Sequence, residues 1–203
     1  AGANPDRLRS LWSRGLELAR NAQDEHRGQS LASLSVPAVA LLLGPPGDAS
    51  AVAELERLSG TRRPAPLAAL VAARAGDAAT ARRFLAEFDN RTSDSTPKSM
   101  TGFDWGAGMS DWRPVLAETY YELRDYPKVV EVLERFEPSG FGRRGFDPRW
   151  VLLPRVRLLR GQALEKLGRM AEASVEYQGV IDQWGGADSE LLPVVQLARQ
   201  RLA

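Results

Sequence analysis

Two pairs of carboxylates stand four residues apart in this chain, Glu118 with Glu122 and Glu172 with Glu176. On a helix that spacing puts both members of a pair on one face. A pair with one desolvated member can divide acid and base roles. On helices rich in Ala and Arg the plainer expectation is a solvated face. His26 is the single histidine, beside Asp24 and Glu25, and the chain has no cysteine. This excludes disulfides, Cys-ligated zinc, iron–sulfur ligation, a Cys nucleophile and a His pair on a metal. Gly108-Met109-Ser110-Asp111-Trp112 is one residue short of a nucleophile elbow, and no strand precedes it. Gly44-Pro45-Pro46-Gly47-Asp48-Ala49-Ser50 lacks the Lys that a phosphate loop needs, and its prolines remove backbone donors, so a turn between helices is expected there. No cofactor and no metal is implied.

Two other segments carry binding chemistry. Met100 to Trp112 holds Phe103, Trp105 and Trp112 together with two methionines. Such residues anchor interfaces, or else fold back over a groove of their own chain, since apolar patches need a buried destination. Gly140 to Arg160 contains six arginines and one aspartate, with Arg143, Arg144 and Arg149 interleaved with Phe146 and Trp150. Arginines among aromatics suit an acidic peptide or carboxylate, or a single-stranded nucleic acid. The alternative is a solvated linker balanced by acids nearby: Ala117 to Glu137 carries six acids against three bases.

The whole chain argues against strong electrostatic targeting. Its 203 residues include 27 Lys plus Arg and 26 Asp plus Glu, a formal charge of +1, which makes no strong case for nucleic acid or an anionic membrane. With 43% hydrophobic and 26% charged residues, the composition is that of a folded chain, able to bury roughly 70% of its unfolded surface. The longest apolar run, Val39 to Leu43, is far short of the ~20 residues of a membrane span. The opening Ala1-Gly2-Ala3-Asn4-Pro5 lacks an initiator Met, a basic leader and an apolar signal core, so we expect a fragment of something larger. Missing cysteines fit either side of a membrane, and the compartment stays open.

The elements that must position these residues are helices. Apolar residues recur three and four apart, as in Leu8, Leu11, Trp12, Leu16 and Ala19 behind the cap Asn4-Pro5-Asp6. Further helices are expected over about Ser30–Leu43, Ala49–Leu58 and from Pro64 to near Ala75. No segment alternates with period two and β-branched enrichment, so no significant sheet is expected. Asn90–Asp111 and Pro138–Pro148, rich in Gly, Ser, Pro and aromatics, are expected as loops.

One ladder of offsets repeats along the chain. Gly161, Leu164, Gly168, Ala173 and Tyr177 form its clearest copy. The same spacing yields Ala117, Tyr120, Arg124, Val129 and Leu133, then Ala69, Ala72, Gly76, Ala81 and Leu85, and a fainter set at Val39, Leu42, Pro46, Ala51 and Leu55. Small residues allow paired helices to approach, a turn residue separates them, and large residues fill the gap. The turn positions Gly76, Arg124 and Gly168 lie 48 and 44 residues apart. Beyond a repeat of about 34 residues, the excess falls in the two loops.

This spacing resembles the tetratricopeptide repeat family of helix–turn–helix units. Leu164 stands in place of the usual aromatic, Arg157 where Trp is common and Gly185 where Pro is expected. The stretch from Tyr177 to Ala203, with Trp184, Ala187-Asp188 and Leu192-Pro193, resembles the C-terminal ends of helical-repeat regions in large bacterial proteins, some of which carry a kinase or regulator domain upstream. The resemblance implies an all-α, right-handed superhelix of antiparallel helix pairs, around ten helices in one domain over 1–203. Divergent N-terminal helices would occupy 1–64; three repeats and a capping helix would occupy 65–203. It implies a non-catalytic scaffold or adaptor that binds a protein or peptide segment. The surface expected for that role joins Arg143, Arg144 and Arg149 as charge partners with Phe103, Trp105, Trp112 and Phe146 as anchors. The alternatives are an all-helical enzyme acting on sugars through Glu118 or Glu122, and the sensor segment of a bacterial kinase or transcription regulator. If the aromatic loop is an anchor, Trp105→Ala with Trp112→Ala abolishes partner capture and leaves the melting temperature nearly unchanged. A large fall in melting temperature marks the loop as core instead.

Overall fold

A computed structural model describes residues 65–93, 112–134, 136, 149–186 and 192–203, with backbone alone at 90–93 and 149–151. These residues form seven helices and no strand: α1 Ala65–Arg74, α2 Ala78–Ser93, α3 Arg113–Glu122, α4 Tyr126–Leu133, α5 Arg149–Lys166, α6 Met170–Trp184 and α7 Leu192–Leu202. The all-α class expected from periodicity holds for them. The helices expected before Pro64, the Gly44–Ser50 turn, His26 and the Pro138–Pro148 loop lie outside the described residues. One boundary moves: α2 continues to Ser93, past the expected loop start at Asn90. Once a helix is nucleated each further residue adds a hydrogen bond, and no proline interrupts before Pro97. Among the described residues, no helix is long and apolar enough to cross a membrane.

The described helices fall into two units that divide between Leu123 and Arg124. In the first, α1 packs on both α2 and α3. Eight residues of this short Ala-rich helix are buried, among them Leu67, Ala69, Leu70 and Ala72, as befits a helix apolar on all sides. Ala81 and Leu85 of α2, and Val115 and Ala117 of α3, complete the core. Pro114 sits in the first turn of α3, where its missing N–H leaves no bond broken.

In the second unit α5 packs on α4 and α6, and α6 packs on α7. Its core joins Leu158, Leu164, Ala173, Tyr177, Val180 and Ala198. The closest approach is at Gly161: a Cβ there would lie 2.7 Å from Cε1 of the buried Tyr177 ring. The Tyr177 hydroxyl donates to Oε2 of Glu165 at 2.8 Å, and Arg201 donates to Oε1 at 2.7 Å. One α5 carboxylate thereby ties α6 and α7 to the same point. Arg157, one of the six arginines, lies over Gly179 of α6, where a Cβ would collide with its guanidinium.

The tight turns share one backbone device. Among the described residues, positive φ occurs at Gly76 (80°), Arg124 (59°) and Gly168 (74°). At Gly76 the N–H groups of Gly76 and Asp77 reach the carbonyls of Ala73 and Ala72. At Gly168 those of Gly168 and Arg169 reach Glu165 and Leu164. Both are Schellman closures of the preceding helix. The next helix begins at once: Asp77 accepts from Thr80 N at 3.0 Å and Asp125 from Lys128 N at 3.3 Å, satisfying otherwise orphaned donors. The Thr80 bonds hold the Asp77 carboxyl below its ordinary range. Arg124 adopts the left-handed region without glycine's freedom, at a cost of about 1 kcal/mol.

Substitutions at these positions have opposite expected signs. Arg124→Gly raises unfolding stability by at most about 0.5 kcal/mol, the relief of that strain less the entropy glycine adds to the unfolded chain. Gly161→Ala lowers it by about 1 kcal/mol or more, because overpacking against Tyr177 outweighs the gain in helix propensity. Urea denaturation followed by circular dichroism measures both; a stabilising Gly161→Ala contradicts the packing described.

Candidate functional site

Most of the residues expected to form a partner-binding surface fall outside the described part of the chain. Phe103, Trp105, Arg143, Arg144 and Phe146 lie outside the described residues, and Arg149 is described only as the first backbone position of α5. Trp112 is half-buried at the start of α3; its carbonyl accepts from Leu116 N at 2.9 Å and its side chain caps nothing. The ladder residues form a different set. Ala69, Ala81, Ala117, Val129 and Ala173 are fully buried, Leu164 and Tyr177 nearly so, and Tyr120 is half-buried. Gly161 is the helix-contact point, while Gly76 and Gly168 are turn residues.

The carboxylate pairs depart from the solvated-face expectation. One member of each is buried: Glu118 is 5% exposed and Glu176 4%. The physical reason is a guanidinium supplied by a neighbouring helix. In the first unit, Arg74 at the end of α1 lies 3.5 Å from Glu118 Oε2 and 3.8 Å from Glu122 Oε1. In the second, Arg160 of α5 donates to Oε1 of Glu176 on α6 and, at 3.2 Å, to the carbonyl of Leu133 at the end of α4. Arg160 therefore binds three helices, and its charge is matched locally rather than offered to a partner.

Around that pair lies a cleft of about 310 Å³. Val130 and Glu134 come from α4 and its end, Arg160 and Leu164 from α5, and Arg169 from the turn. Glu172, Val175 and Glu176 come from α6. At the rim Arg169 forks onto Glu172, with bonds of 2.7 and 2.6 Å to the two carboxylate oxygens. The Arg169 bond holds the Glu172 carboxyl below its ordinary range and raises the arginine in return. Val175 is 65% exposed at the mouth. Oε2 of Glu176 is fully buried and accepts no hydrogen bond from the described residues.

Chemically the cleft is an acceptor site. Its guanidinium groups are engaged with Glu176 and Glu172, and Glu134 adds a third carboxylate. Among the described residues, no group of His, Cys, Asp and Glu side chains could hold a metal ion. The pair Glu172/Glu176 was visible in the sequence as a spacing. Glu134 and Arg169 were not singled out, although Arg169 and Glu172 at i, i+3 form a legible helix-start ion pair. Comparison with protein families, curated proteins and solved structures finds no match for this chain.

Removing Arg160 alone leaves a buried carboxylate uncompensated, so Arg160→Leu is expected to cost about 3–5 kcal/mol. Arg160→Leu with Glu176→Leu recovers most of that loss, and equal losses for the single and double variants would contradict the coupling. The rim pair has a defined pH dependence. The folded pKa of Glu172 lies below its unfolded value, so its contribution is present above the ordinary carboxylate range and is lost as pH falls through the depressed value. Carboxyl-carbon NMR of Glu172 follows this, and Arg169→Gln is expected to move its midpoint upward.

Proposed function

We propose that this chain is a non-catalytic helical-repeat scaffold of tetratricopeptide type that binds a segment of another protein. The observation that carries the reading is the agreement between the ladder and the backbone. Gly76, Arg124 and Gly168, the turn positions of three copies, are the positions of positive φ among the described residues, and most of the ladder residues flanking them are buried. A repeated small–turn–small–large spacing that places buried residues on consecutive helices is what a stack of helix pairs requires. The fold this reading implies is a right-handed superhelix, whose surfaces serve recognition. The placement of Glu118 also supports binding over sugar chemistry, since its Oε2 faces Arg74 while Glu122 is exposed.

Selection of a displayed library of random 12-residue peptides against the folded chain tests the proposal. The expected result is enrichment of related sequences that bind saturably as synthetic peptides, at affinities in the micromolar range. A well-folded chain that enriches no sequence across repeated selections overturns it.

A further inference from the structure

We draw no further inference here: the strongest candidate, the apolar wall of the α4–α5–α6 cleft where Val130 and Leu164 meet the exposed Val175, carries nothing because nothing in the structure shows what covers it.

Discussion

The second unit depends on the contact between the backbone of α5 at Gly161 and the ring of Tyr177 on α6. Without a side chain at Gly161 the ring lies against the helix itself, and any larger residue would force it away. That contact sets the register of the two helices, and the register sets what surrounds it. Arg160 precedes Gly161 and Glu176 precedes Tyr177, so the ion pair follows from the packing pair one residue along each helix. The Tyr177 hydroxyl on Glu165, with Arg201 on the same carboxylate, carries the constraint to α7. A glycine in a helix costs about 1 kcal/mol relative to alanine, which the close approach offsets through burial of an entire aromatic ring.

The electrostatics follow from the same geometry. Buried carboxylates are unfavourable unless a charge or a set of donors meets them. Arg74 does this for Glu118 and Arg160 for Glu176, in each case from a neighbouring helix and across a long stretch of chain. Arg160 also caps the end of α4 through the Leu133 carbonyl, so the charge that steadies the carboxylate also fastens one helix pair to the helix before it.

The ladder of small, turn and large residues was legible because its signal is local. Offsets of three to eight residues reflect helix periodicity and turn length, and even Arg124, with no glycine to mark it, fell at its turn position by spacing alone. The buried carboxylates were illegible for the opposite reason. Glu118 and Arg74 are 44 residues apart and Glu176 and Arg160 are 16 apart, and nothing in the local sequence announces which arginine turns inward. The arginine-rich stretch was judged by its net charge, whereas Arg157 is spent on covering Gly179 and Arg160 on Glu176. Helix ends were read to within a few residues, and the extension of α2 to Ser93 shows propagation overriding weak individual propensities.

The most direct test of this account is the proton NMR spectrum of Gly161. With the Tyr177 ring against its backbone, the Gly161 Hα resonances are expected well upfield of their usual position through the ring current, with nuclear Overhauser contacts to the Tyr177 ring protons. Resonances at ordinary shifts without those contacts would contradict the helix register from which the ion pair and the cleft both follow.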